Sequence, residues 1–201
     1  GFDAGADDFL TKPVQIEELR ARLAAGDRVL RMEQELVDKN LLLERTLGEL
    51  RKLYEALDRD LIEARGLQQS LVKERTRRFG PSQVSLLLRP SGHVGGDLVG
   101  FFPAGDAHVA LFAIDVSGHG VASALMTARL SGHLTADLPD RNLALTEGPD
   151  GTPAIRPPPE VAERLNAISL EEMSTDKYFT LVFAEVALET GRVRLVQAGH
   201  P

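Results

Sequence analysis

An α+β fold follows from three features of this sequence. Residues 28 to about 72 form a long charged stretch without proline, with leucine at helical spacing. From about residue 79 the texture changes to short apolar runs punctuated by glycine and proline. The last two of these runs, "YFTLVFAEVAL" and "RVRLVQAGH", are joined at Glu189-Thr190-Gly191, where Gly191 can take a positive φ. A hairpin of that kind after interposed helices implies antiparallel pairing rather than βαβ alternation.

Composition narrows the possibilities. The chain has 201 residues, 43% hydrophobic and 26% charged, a balance typical of a folded globular protein. A net charge of −7, with no basic stripe carrying interleaved aromatics, argues against nucleic-acid binding. The absence of cysteine excludes disulfides, thiolate metal sites and a cysteine nucleophile, and suits a cytoplasmic location. No apolar run approaches the ~20 residues that span a bilayer, so no membrane partner is expected. The sequence begins without Met and stops just after a strand-like run at "AGHP", which suggests a piece of a longer chain.

Three segments follow in order: 1–25, 26–78 and 79–201. In "GFDAGADDFLTKPVQIEELRARL", Pro13 biases Lys12 towards an extended backbone, and a helical pattern follows. In the second segment, Leu36, Asn40, Leu43, Leu47, Leu50, Tyr54, Leu57, Leu61, Ala64, Gln68 and Leu71 alternate at heptad a and d positions. That spacing predicts a coiled coil and a homodimer, with Asn40 at an a position fixing register. Gly48 and Gly66 each weaken the helix by roughly 1 kcal/mol relative to Ala.

In the third segment "RFGPSQ" ends the helix, and "VSLLLRP" reads as a short buried strand up to Pro90. "HVALFAID" (108–115) reads as another strand, and "VASALMTARLSGHL" as a helix opening after Gly118-His119-Gly120. "DLPDRNLALTEGPDGTPAIRPPP" reads as a loop, and "PPEVAERLNAISLEEM" as an amphipathic helix entered from proline.

Two acids stand out, Asp97 in "VGGDLVGFF" and Asp115 in "AIDVSGHG", each beside glycines at the edge of an apolar run. One reading is structural: a Gly-Gly-Asp turn, and a helix cap at Asp115. The GGDEF cyclase spelling shares "GGD", but Leu98 and Val99 replace its defining residues. The D-x-G-x-G box of histidine-kinase-type ATPases has its glycines one residue earlier than "DVSGHG" does. A fourth reading takes both loops together. Hard divalent cations take carboxylate, carbonyl and water oxygens, and glycine removes the bulk that would keep carbonyls and waters away. Two strand-end carboxylates facing each other could then hold a two-metal centre for phosphate-ester hydrolysis. Asp106 and Asp137 read as turn residues, Asp7 and Asp8 as loop residues. His119 and His200 read as loop or hydrogen-bonding residues, and His93 and His133 have no supporting context.

The blocks "VGGDLVGFF", "AIDVSGHGVASALM" and "YFTLVFAEVALETGRVRLVQAGHP" resemble, in order, those of the SpoIIE-type branch of the PPM (protein phosphatase 2C-like) family. The opening "GADDFLTKP" resembles the end of a response-regulator receiver domain. The resemblance implies a PPM-type antiparallel β-sandwich flanked by helices, with two Mn²⁺ or Mg²⁺ ions between its sheets. It makes Asp97 and Asp115 carboxylate ligands that act through metal-bound water, and Val116 a backbone-carbonyl ligand. It makes Lys12 the receiver's phosphoryl-contacting residue, with a cis Lys12-Pro13 bond and a histidine kinase upstream. The implied substrate is a phosphoserine or phosphothreonine on a STAS-type anti-sigma-factor antagonist. Two departures qualify it. Gly100 stands where many relatives carry a second acid, and a further metal-binding aspartate is expected beyond Pro201. Residues 1–201 alone are therefore expected to have negligible activity. The rival reading is a non-catalytic scaffold of the same fold, for which Gly100 is the support.

Overall fold

The computed structural model describes residues 3, 5, 8–89, 92–148, 151–172 and 176–201. The chain divides into two units, Gly1–Leu57 and Asp58–Pro201.

In the first unit the Lys12-Pro13 bond is cis, as the receiver resemblance implies. Helix α1, Ile16–Gln69, then runs unbroken for 54 residues, so the two helical patterns of the sequence are one helix. Ion pairs four residues apart lace its surface, Glu18–Arg22 at 3.0 Å and Lys39–Glu35 at 3.6 Å among them. Asp8, expected as a loop residue, pairs with Arg22, whereas Asp7 lies outside the described residues. No residue of α1 is buried, and the heptad leucines from Leu36 (60% exposed) to Leu57 (53%) stand open in the single chain.

The second unit begins with the last turns of α1. The helix stops at Gln69, short of the residue-78 boundary expected for the helical segment. Leu71, expected on the seam, lies past its end and packs against the core. Strands β1 (Thr76–Phe79) and β2 (Ser82–Ser85) form a hairpin closed at Gly80-Pro81, with Gly80 at φ 56°. This corrects the expected buried strand "VSLLLRP". The turn draws Val84 and Ser85 into the hairpin, residues 86–89 are irregular, and Leu87 is 74% exposed. Pro90 lies outside the described residues.

Strands β3 (Asp97–Ala104) and β4 (His108–Val116) follow, then helix α2 (Val121–Gly132). The Pro/Gly-rich stretch expected to be a loop contains a 3₁₀ turn and a small hairpin, β5 (Leu145–Glu147) with β6 (Pro153–Ile155). Burial of Ala144 and Ile155 in the core, with the Asn142 side chain bridging Thr135 O and the Ala144 N–H, orders what composition alone left as loop. Helix α3 (Pro158–Glu172) and the hairpin β7 (Phe179–Ala187) and β8 (Val193–Ala198) match the sequence reading. Met173 lies outside the described residues.

The main sheet is antiparallel, in the order β3-β4-β7-β8. Side chains alternate across a strand. Leu98, Phe102, Ile114, Val116, Leu181 and Phe183 therefore share one face, packed with Met126 and Leu130 of α2 and Val161 and Leu165 of α3. The Phe102 and Phe183 rings are 6.4 Å apart at its centre. Val99, Phe101, Leu111, Ala113 and Val182 occupy the other face and are only half-buried. There Phe79 of β1 meets Phe101 edge-on at 6.0 Å.

Candidate functional site

Asp97 opens β3 and Asp115 stands one residue from the end of β4, and the register places them directly opposite each other. Their neighbours Leu98, Ile114 and Val116 point into the helix-covered core, so both carboxylates project from the other face. Burial first, and the neighbouring Asp115 charge second, push the Asp97 carboxyl above its ordinary range, with His200 opposing. Two like charges held together in this way are relieved by a cation.

The glycines serve this geometry. A Cβ on Gly96 would sit on the Val116 carbonyl oxygen, so glycine there lets the two strands close. The Gly96 carbonyl in turn accepts from the Val116 N–H at 3.1 Å and from Thr127 Oγ1 at 2.9 Å, which ties the turn before Asp97 to α2. Gly118 and Gly120, at φ 82° and 84°, make the sharp exit from β4 into α2. Ser123 Oγ and Lys177 Nζ both donate to Ser117 O, at 3.1 and 3.0 Å, and hold that loop.

Thr180 of β7 stands opposite Asp115, and its Oγ1 shares a 2.9 Å hydrogen bond with His200 Nδ1. Gly199, at φ 69° and bridged to Leu181, turns the chain so that His200 reaches this position. His200 therefore joins the neighbourhood of the acids, beyond the loop role expected of it. His119 is exposed in the glycine loop, and Asp106 sits in the β3–β4 turn as expected. Asp137 pairs with Lys73, and His93, which had no supporting sequence context, pairs with Asp58 at 3.0 Å. Lys12 and Asn40 belong to the first unit and are exposed.

Gly100 faces the helix-covered side, directly opposite Phe112, and a Cβ there would enter the Phe112 ring. A second acid at this position would point away from Asp97. The glycine is thus explained by an aromatic ring lying over a cross-strand glycine.

Two carboxylates and a backbone carbonyl are hard oxygen donors of the kind Mn²⁺ and Mg²⁺ take. They fit in kind but are few. Among the described residues no group of three or more His, Asp or Glu gathers as a complete metal site.

The antiparallel sheet with helices packed on one face is a PP2C-like fold. A solved structure agrees: the SiaA-PP2C domain of Pseudomonas aeruginosa superposes with a TM-score of 0.52 at 16% identity, covering 72% of this chain and 54% of that one. Residues 105–201 match the family model of stage II sporulation protein E. Asp115, Val116, His119 and His200 lie inside the matched range, and Asp97 just before it. The phosphoserine phosphatase RsbP of Bacillus subtilis (strain 168) is 25% identical over 119 residues, which are 59% of this chain and 27% of RsbP.

Proposed function

We propose that this chain is part of a metal-dependent phosphoserine/phosphothreonine protein phosphatase. The observation that carries the reading is the register of Asp97 against Asp115, with the Val116 carbonyl close to Gly96, the residue before Asp97. RsbP, a phosphoserine phosphatase by name, supports the reaction class. Asp97, Asp115 and the Val116 carbonyl would hold Mn²⁺ or Mg²⁺, which when bound lowers the pKa of water and neutralises phosphoryl charge. Of the chain's own groups, Asp97 and Asp115 orient the attacking water by accepting its hydrogen bonds, and neither forms a covalent intermediate. The Thr180–His200 pair borders the position that the phosphoryl group takes.

The finer assignments belong to the same proposal. The substrate is a phosphorylated STAS-type protein. Residues 1–25 end a receiver in which Lys12 contacts the phosphoryl group supplied through a histidine kinase. Residues 26–78 link it to the phosphatase region, 79–201, as a dimer whose register Asn40 sets. The cytoplasm is the compartment; among the described residues no helix is long and apolar enough to cross a membrane.

The deciding experiment is hydrolysis of a phosphorylated STAS protein by the full-length protein, with Mn²⁺ titrated and Asp115→Asn alongside. Turnover that needs the metal and disappears in the variant is expected. Binding of the partner without turnover at any Mn²⁺ level would replace the phosphatase with a scaffold. Asn40→Leu is expected to change oligomer or register while leaving Mn²⁺ dependence intact; unaltered regulation in that variant would remove the linker from the scheme.

A further inference from the structure

The heptad seam changes its environment along α1. From Leu36 to Leu57 its leucines are exposed, whereas Leu61, Ala64 and Gln68 are half-buried. At Gln68 the reason is explicit. Its Nε2 donates to the Gly95 carbonyl at 2.6 Å, and its Oε1 accepts from the Gly95 N–H at 3.1 Å. The side-chain amide thus satisfies both backbone groups of one residue, as a neighbouring strand would. Gly95 lies two residues before Asp97, and Arg65, Gln68, Gly95 and Asp97 line a common recess. A second grip lies nearby, where Asp58 of the same helix pairs with His93 at 3.0 Å. Polar Gln68 at a seam position is therefore accounted for by the loop it holds.

We propose that Gln68 is a positioning residue, a latch by which the last turns of α1 set the Gly95-Gly96-Asp97 turn and hence the separation of Asp97 from Asp115 and the Val116 carbonyl. The proposal rests on the metal-site reading above and adds how that site is coupled to the helix. Displacing the helix end releases both Gly95 hydrogen bonds at once, and Asp97 then loses its fixed approach to Asp115.

The test compares full-length wild type, Gln68→Ala and the control Leu67→Ala, whose side chain is 74% exposed on the same helical turn. Alanine has the higher helix propensity, so a loss in Gln68→Ala cannot come from a weaker helix. The readouts are amide hydrogen exchange over residues 92–98 and the Mn²⁺ concentration giving half-maximal thermal stabilisation. In Gln68→Ala the Gly95 amide is expected to exchange about tenfold faster, and the Mn²⁺ midpoint to rise several-fold. The control should match wild type in both. Wild-type exchange and midpoint in Gln68→Ala would overturn the latch. Faster exchange with an unchanged midpoint would overturn it too, leaving a purely structural contact. A wild type that does not respond to Mn²⁺ would instead sink the metal reading itself, whatever the Gly95 exchange rate in the variant.

Discussion

On its helix-covered face the sheet presents Leu98, Phe102, Ile114 and Phe183, each no more than 2% exposed. On its other face Asp97 and Asp115 stand opposite each other at the end of rows of half-buried apolar residues. The first face is closed by α2 and α3. Its one acid, Glu185, is buried but held by Arg194 Nε at 2.7 Å and His108 Nδ1 at 2.9 Å. The second face keeps two like charges together without a comparable ion pair among the described residues. Packing on one side supplies the stability that lets the other hold an unfavourable pair.

The contrast can be broken most severely at Phe183. Its replacement by Ala empties the centre of the packed face and should cost about 3–5 kcal/mol, read from urea unfolding. An effect below 1 kcal/mol would mean that this face is not the core. Gly100→Asp comes next. It forces a side chain into the Phe112 ring and should cost about 1–3 kcal/mol without tightening Mn²⁺ binding. Tighter binding would place position 100 on the acid side and undo the distinction between the faces.

These two substitutions also mark what could be read from the sequence. Strands β4 and β7 and helices α2 and α3 were legible because their apolar periods bury one face, and β8 because the Glu189-Thr190-Gly191 turn joins it to β7. So were the two acids, because glycine beside a strand-end carboxylate has a chemical reason. The β5–β6 hairpin was not, since three-residue strands in a Pro/Gly-rich stretch are ordered by the burial of Ala144 and Ile155 rather than by their own pattern. Gly100 read as a missing acid because the face a residue takes depends on register, which spacing alone does not supply. Gln68 read as one more seam position, because a hydrogen bond to a backbone 27 residues away leaves no local trace.

On the acid side, Asp115→Asn should abolish Mn²⁺-induced stabilisation while changing metal-free stability by less than about 0.5 kcal/mol, as for an exposed side chain. Thermal melts with Mn²⁺ and with chelator separate the two effects. A large loss in chelator would give Asp115 a structural role that the register does not suggest.

The smallest effect concerns Glu160 in the first turn of α3. The hydrogen bond from Arg164, helped by the nearby Arg156 charge, holds its carboxyl below the ordinary value of 4.5. Its contribution is complete above that value and is lost as pH falls through the lowered one. Glu160→Gln should slightly flatten the pH dependence of stability over that acid range, a small effect as expected of exposed ion pairs. Urea midpoints measured from pH 3 to pH 7 would detect it.

The two grips of α1 on the residue 93–95 loop also have a consequence for chain length. Asp58 and Gln68 reach the same short loop from positions ten residues apart on one helix. Each residue inserted between them would turn one grip by roughly 100° relative to the other. One added residue therefore leaves no rotation that engages both, whereas seven nearly restore the phase at the expense of about 10 Å of added length. The loop that carries Asp97 is in this sense a gauge of helical phase, and drift in the length of this segment is permitted only in steps it can tolerate.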